Sequence, residues 1–439
     1  MSKWPLVALE EVAGPDRYSV VGGPFGSALG RKDYVNDGVP VIRGAQLGGP
    51  GWFSHEDLVY VSEDKADRHL GNLAYPGDVL VTQRGTVGQV GLIPVDAPFE
   101  RYLLSQSQMK LTVDQSRANA RFVYYWLRSP EAQQAMVSST ISAGVPHINL
   151  ATFKGLKIPL PSLTEQASIA DVLGSIDLLL QNKQRRVEVL EEMARAIYRE
   201  WFVRFRYPGH EDVPLIDSPL GPIPGGWGIR AVGDLASLDK GLSYKGAHLA
   251  ESGTPMANLK CFRPGGGFRR DGAKPYNGPF KPRHQVSPGD LVMANTDLTQ
   301  AGTVIGSPAF VPRAGFESGG IASHHLFIVR PSDGVATHWL YESFRDDRFR
   351  GYARGVASGT TVLGLRPLDL AAYRIPVPPP ELAQRFNEIA RGLADMREEL
   401  AELAEVLASQ RDLLLPKLVT GQIDVSHLDL DALTEVATA

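Results

Sequence analysis

Cysteine is nearly missing from these 439 residues: Cys261 is the only one. An intrachain disulfide and a cysteine-based zinc site are therefore excluded. The ten histidines show no ligand spacing, so no metal site is expected. No run approaches 18 apolar residues, so no membrane-spanning helix is expected. The opening residues, Met1 to Gly14, have neither an apolar core nor a small-residue cleavage site of an export signal. A cytoplasmic location is the expectation. Catalytic signatures are scarce too. There is no Gly-x-x-x-x-Gly-Lys-Ser/Thr phosphate loop, no Asn-Pro-Pro-aromatic motif and no Gly-rich methyl-donor loop. Asp78 and Asp290 each follow Pro-Gly, but neither copy has the acid-x-Lys pair that would hold magnesium for a nuclease. They read as turn residues whose carboxylates cap local N–H groups. Gly265-Gly266-Gly267 reads as a flexible turn.

Positive charge is also in short supply, with a formal net charge of −4. Its distribution matters more than its sum. Segment 1–160 has 15 basic and 15 acidic residues, 161–207 has 7 and 7, 208–380 has 18 and 15, and 381–439 has 5 and 12. The acidity sits at the C-terminal end. Lys260 to Arg283 holds seven basic residues and one acid, Asp271. By charge alone this stretch is either a nucleic-acid contact or a solvated loop.

What the sequence does contain is itself, twice. With a period of about 215 residues, Gly38-Val39-Pro40-Val41 returns as Gly253-Thr254-Pro255-Met256. Tyr75-Pro76-Gly77-Asp78-Val79-Leu80 returns as Ser287-Pro288-Gly289-Asp290-Leu291-Val292. Each is followed by a polar run and a Gly-rich apolar stretch, at 82–91 and 295–306. Gly144 and Gly359 precede Lys157-Ile158-Pro159-Leu160-Pro161 and Arg374-Ile375-Pro376-Val377-Pro378. Matches in one order at one offset indicate duplication. Short apolar runs bounded by Gly, Pro and Asp (Val79–Val81, Val90–Ile93, Leu291–Met293, Leu326–Val329) predict strands. Phe122–Leu127 and Trp339–Phe344 have helical spacing. Each copy is expected to be a curled sheet with a few short helices.

A long heptad pattern follows each proline cluster. Ile169, Leu173, Ile176, Leu180, Lys183, Val187, Leu190, Ala194, Ile197 and Trp201 form one stripe. Leu382, Phe386, Ile389, Leu393, Met396, Leu400, Leu403, Leu407, Gln410 and Leu414 form the other. At 1.5 Å per residue each helix runs roughly 50–60 Å. Two such stripes in one chain most simply bury each other as an antiparallel pair, with Lys183 and Gln410 as polar register markers. Pairing between two molecules is the alternative. The expected organisation is a first domain over 1–160, a central helix over 161–207, a second domain over 208–380, a C-terminal helix over 381–420 and an acidic tail over 421–439. The fold class is α+β with pseudo-two-fold symmetry. Two unlike readers on one stiff rod suit two unlike half-sites on one face of DNA, which recurs about every 34–36 Å.

Particular residues carry a resemblance to a known family. Ile158-Pro159-Leu160-Pro161 with Glu165-Gln166, then Ile176-Asp177 and a helix ending Ala196-Ile197-Tyr198-Arg199-Glu200-Trp201-Phe202-Val203-Arg204-Phe205, resembles the central region of Type I restriction-modification specificity subunits. Leu414-Leu415-Pro416-Lys417-Leu418-Val419-Thr420-Gly421-Gln422-Ile423 resembles their C-terminus. Glu200 stands where Ser is more usual, and Ala383-Gln384 replaces Glu-Gln after the second proline cluster. The resemblance implies two target recognition domains reading halves of a bipartite site on double-stranded DNA. It implies helices that set the spacer and dock two methylation subunits. Partner subunits would supply adenine methylation with S-adenosylmethionine, and motor-nuclease subunits would use ATP and magnesium; no cofactor and no catalytic group is expected on this chain. Carried over by position, the DNA-facing candidates are Arg43, Gln83, Arg84, Thr86, Gln106, Gln108, His147 and Asn149 in the first domain. In the second they are Lys260, Arg263, Asn295, Thr296, Thr299, Gln300, His324, Ser358, Thr360 and Thr361. Arg reads guanine and Gln or Asn reads adenine through bidentate bonds, whereas a phosphate contact or plain surface is the competing role of each. Trp201, Phe202 and Phe205 are candidates for subunit docking or for packing on the second domain. A stand-alone endonuclease or methyltransferase, or a coiled-coil scaffold with no DNA role, remain the rival functions.

Overall fold

A computed structural model describes residues 4–49, 51–140 and 146–425. Gly144 of the repeat and residues 426–439 of the acidic tail lie outside the described residues. The chain divides into two compact units, Met1–Arg185 with Leu403–Ala439, and Arg186–Glu402. Each long helix is therefore shared between units, where the sequence set the helices apart as separate segments. The reason is burial: each half-helix lays its apolar face on the sheet domain beside it.

Unit 1 holds two larger sheets beside the two-stranded pair Leu6–Ala8 with Lys157–Pro159. In the first, Val20–Gly22, Gln108–Leu111, Val79–Thr82 and Val90–Leu92 lie side by side in that order, all antiparallel. Val79, Leu80 and Val81 are fully buried, so this run reads as continuous apolar residues rather than as an alternation. The second has the order Tyr34–Val35, Val59–Val61, Val39–Ile42, Tyr102–Leu104 and Leu73–Ala74, with one parallel pair in its middle. Unit 2 repeats the plan. Ala236–Lys240, Leu326–Pro331, Leu291–Ala294 and Pro308–Phe310 form the antiparallel sheet. Lys274–Tyr276, Leu249–Ala257, Gly320–Ala322 and Gln285–Val286 form the mixed one, again with one parallel pair in the middle. The Pro-Gly-Asp turns match as well. Gly77 and Gly289 take φ values of +91° and +85°, which favour glycine, and the Asp78 and Asp290 carboxylates accept from the N–H groups of Tyr75 and Ser287.

The helix Leu163–Tyr198 opens with a capping box in which Ser162 and Glu165 exchange bonds, and Gln166 turns inward to receive the N–H of Asn119. It runs into a wider turn, Arg199–Val203, and stops at Phe205, held at φ +58°. The second helix is Pro380–Val419. In unit 1 Asp177 meets Arg411 at 3.1 Å, and in unit 2 Glu191 meets Arg397 at 3.7 Å. Within unit 2, going forward from Glu191 to Tyr198 on one helix goes backward from Arg397 to Phe386 on the other, so the pairing there is antiparallel within the one chain. The stripe predicted for the central helix faces inward along its length. That of the C-terminal helix is shifted. Ile389, Met396 and Leu403 are exposed, and Gln410 is exposed rather than marking the register. Ala390, Arg397 and Arg411 take the inner positions. An α-helix of 3.6 residues per turn drifts against a strict heptad, and in the shifted register the two arginines reach the carboxylates. Asp177 is the deeper site: it is buried and also accepts from the Tyr125 hydroxyl at 2.9 Å, with Arg128 at 3.6 Å. Burial pushes the Tyr125 phenol well above its ordinary range.

Candidate nucleic-acid interface

The strand Val79–Thr82 ends in a turn that carries Gln83, Arg84 and Thr86. Gln83 is held through both its backbone and its side chain. Its N–H donates to Ser107 (2.8 Å), its carbonyl accepts from Ile148 (3.0 Å), and its side-chain amide donates to the Gln106 carbonyl (2.9 Å). The strand Leu291–Ala294 ends the same way. The Asn295 N–H donates to His325 (2.9 Å), its carbonyl accepts from Leu365 (2.8 Å), and its amide donates to the His324 carbonyl (3.1 Å). Gln83 and Asn295 are thus an amide clamp built twice. They tie the strand end to the turn that precedes the neighbouring strand, and Asn295 is buried. The sequence singled both out as base readers; the amide nitrogen of each is engaged inside its own unit.

The other candidates divide into three groups. Some are interior or structural. Gln108 is fully buried and bonds Thr82, and the Asn149 side chain caps the helix Leu150–Gly155 by accepting from Thr152. Arg43 is half-buried, its guanidinium donating to the Asp57 carbonyl and its N–H to Gln46. A buried amide beside a hydroxyl is as readily satisfied by the protein as by a base, which a sequence pattern cannot distinguish. A second group gathers in unit 1. Gln83, Arg84, Gln106 and His147 line one cleft of about 250 Å³ with Pro24, Phe25, Gly26 and Ile148. Arg84 and His147 face each other across a backbone bridge. The Gln106 amide donates to the carbonyls of Gly26 and Leu29. Thr86 is exposed on the adjoining loop.

The third group forms the equivalent end of unit 2. The Thr296 hydroxyl bonds His325 at 2.8 Å, and the His324 ring lies 3.9 Å from that of His325 and 5.8 Å from Tyr244. Burial lowers the His325 pKa below its ordinary value, so this ring is neutral at pH 7. Gln300 donates to the Thr360 carbonyl at 2.9 Å, the Thr299 hydroxyl donates to Asp297, and Ser358 pairs with Gly364. Thr361 is exposed beside them. Lys260 and Arg263 are exposed on a different loop, where Arg263 flanks the Gly265–Gly267 turn.

Trp201, Phe202 and Phe205 belong to the core of unit 2. Phe202 is 5% exposed and packs on Trp227, Trp339 and Phe386, and Phe205 stands edge-on to Trp227 at 5.3 Å. Docking through Phe202 is corrected accordingly: the aromatics seal the helix end onto its domain, which large apolar rings favour over exposure. Phe25, in contrast, escaped the sequence reading. Its signal was an aromatic between Gly-Gly-Pro and Gly.

Among the described residues no three His, Cys, Asp or Glu side chains converge to hold a metal ion, and no helix is long and apolar enough to cross a membrane.

Residues 29–192 match the family model of the Type I restriction modification DNA specificity domain. The Type I restriction enzyme MjaIX specificity subunit of Methanocaldococcus jannaschii is 22% identical over 397 residues, covering 86% of this chain and 87% of that protein. The EcoBI specificity subunit of Escherichia coli is 25% identical over 183 residues, 40% of this chain and 38% of that one. The fold is similar to the crystal structure of the S subunit of a Type I restriction-modification system from M. genitalium, with a TM-score of 0.58, 14% identity, and coverage of 95% of this chain and 96% of that one. In the matched region and over most of its length, the chain is similar to specificity subunits of Type I restriction-modification systems.

Proposed function

We propose that this chain is the DNA-reading subunit of a Type I restriction-modification complex and is not itself catalytic. Unit 1 reads one half of a bipartite site and unit 2 the other. The observation that supports this best is the doubled turn: one backbone arrangement and one amide clamp carry two different sets of outward side chains. An unlike pair of readers on a common frame is what an asymmetric site requires. The central helix, 36 residues or roughly 54 Å long, is suited to fix the spacer. In this reading two methylation subunits dock on the helical region and methylate adenine with S-adenosylmethionine. Motor-nuclease subunits supply the ATP- and magnesium-dependent steps. The work is cytoplasmic, where the host DNA is.

The test exchanges residues 208–380 for the corresponding domain of another specificity subunit and maps methylated adenines in the host genome. One half of the site changes and the other stays. A change in both halves, or in neither, overturns the reading.

A further inference from the structure

Phe25 is 91% exposed, the most exposed large apolar side chain in the molecule among the described residues. Exposing a phenyl ring forfeits roughly the stabilisation that burial would bring, and an isolated one calls for a partner only where its surroundings point to one. Here they do. The ring stands at the rim of the 250 Å³ cleft that also holds Arg84 and His147. Its loop is tied down rather than loose: Gln106 donates to the carbonyls of Gly26 and Leu29, on either side of the turn. The equivalent loop of unit 2 disposes of its aromatic differently. Phe25 lies three residues beyond the strand Val20–Gly22, and Tyr244 lies four beyond Ala236–Lys240. Tyr244 is half-buried against His324 and Tyr276, at 5.8 and 6.4 Å between ring centroids. Unit 2 folds its ring down, and unit 1 holds its ring out.

The polar groups of the cleft narrow the role of Phe25 further. The amide nitrogens of Gln83 and Gln106 are engaged within the protein, and Gln108 and Asn149 are buried or capping. Exposed at this turn are Arg84, Thr86 and Phe25. An arginine fork recognises the guanine edge in the major groove. The feature of that groove that an apolar ring recognises is the C5 methyl of thymine.

We infer that Phe25 is a specificity-determining residue of unit 1 that packs against the C5 methyl of a thymine in its half-site. The inference rests on the DNA-reading function proposed above. The ring approaches the base edge beside Arg84, and its contact needs no unstacking of the duplex. A wedge pushed between base pairs, the other use of an exposed phenylalanine, would be indifferent to the methyl.

The test uses the full chain assembled with its methylation subunits and duplexes in which each thymine of the unit 1 half-site is replaced in turn by deoxyuridine. That half-site is the one left unchanged when residues 208–380 are exchanged. One replacement should weaken binding by the wild-type complex about fourfold, the effect of removing one buried methyl. Phe25→Ala should bind thymine and uracil duplexes equally, and Phe25→Leu should restore part of the preference. At 91% exposure neither variant endangers folding. The inference is overturned if Phe25→Ala keeps the thymine preference, or if no thymine in the half-site shows one. It is also overturned if the variant loses a 2-aminopurine unstacking signal with no methyl dependence, which would make Phe25 a wedge. Sequence-independent binding by the wild-type complex would instead remove the DNA-reading function itself.

Discussion

The turns at Gln83 and Asn295 share two backbone bonds and the amide bond that fixes them, and little of what faces outward. In unit 1 the frame presents Arg84 and His147, with Phe25 standing free at the rim. In unit 2 the same frame presents Thr296, a pair of stacked histidines and a tyrosine folded against them. The difference teaches how duplication can set two unlike surfaces on one frame. The clamp is an interior bond and is satisfied the same way in both units, even though Asn295 is one methylene shorter than Gln83. The side chains beyond it differ: Arg84 is exposed in unit 1, whereas Thr296 bonds His325 in unit 2. A second difference lies beneath. Asp177 of unit 1 is sealed among Tyr125, Arg128 and Arg411, whereas Glu191 of unit 2 is partly open to solvent between Arg345 and Arg397.

The inter-helix pairs offer the largest way to break this comparison. Asp177→Ala leaves two half-buried arginines and the Tyr125 hydroxyl without their shared carboxylate and should destabilise the protein by about 3 kcal/mol. Glu191→Ala should lose clearly less, because water reaches the site. Chemical denaturation of both variants measures the gap, and equal losses would mean the two ends of the coil are equivalent.

Acid should single out unit 2 next. His338 is half-buried against Phe310, and its partial burial lowers its pKa to about 4. The folded chain therefore keeps this ring neutral while the unfolded chain protonates it near pH 6.5. Its contribution is complete above that value and is lost as pH falls from about 6.5 towards 4, by up to about 3 kcal/mol. His338→Phe should flatten that part of the stability profile relative to wild type, as read by thermal unfolding at successive pH values.

The clamps give the smallest and most selective effect. Gln83→Ala or Asn295→Ala leaves an inward carbonyl without a donor, costing about 1–3 kcal/mol. Each should relax discrimination at its own half-site and leave the other half unchanged. Competition binding with half-site variants checks this, and Asn295→Gln should recover more than Asn295→Ala. Loss at both half-sites from one clamp variant would show that the units are not separate readers.

Much of the fold was legible because it rests on local chemistry. Pro-Gly-Asp needs a left-handed glycine and a capping carboxylate wherever it occurs, so Gly77 and Gly289 announced the repeat. The apolar runs at 79–82 and 291–294 are strands in a buried layer. The central helix was readable from Ile169 to Trp201. The candidate site was legible only as a neighbourhood. Gln83, Arg84, Gln106 and His147 do meet, yet the amides of Gln83 and Gln106 serve the protein, and Gln108 is interior. An amide has the same donors and acceptor towards a base as towards a backbone carbonyl, so its sequence context does not tell which it serves.

The sequence by itself determined that there are two copies of one mixed domain and two long amphipathic helices, because periodicity and turn chemistry act over short spans of chain. Tertiary structure alone decided which polar side chains face outward. It also decided the helical register, shifted so that Arg397 and Arg411 meet Glu191 and Asp177 while Met396 and Leu403 face water. Those choices depend on partners far apart in sequence, and an ion pair or a buried amide acquires its preference only once both sides are in place.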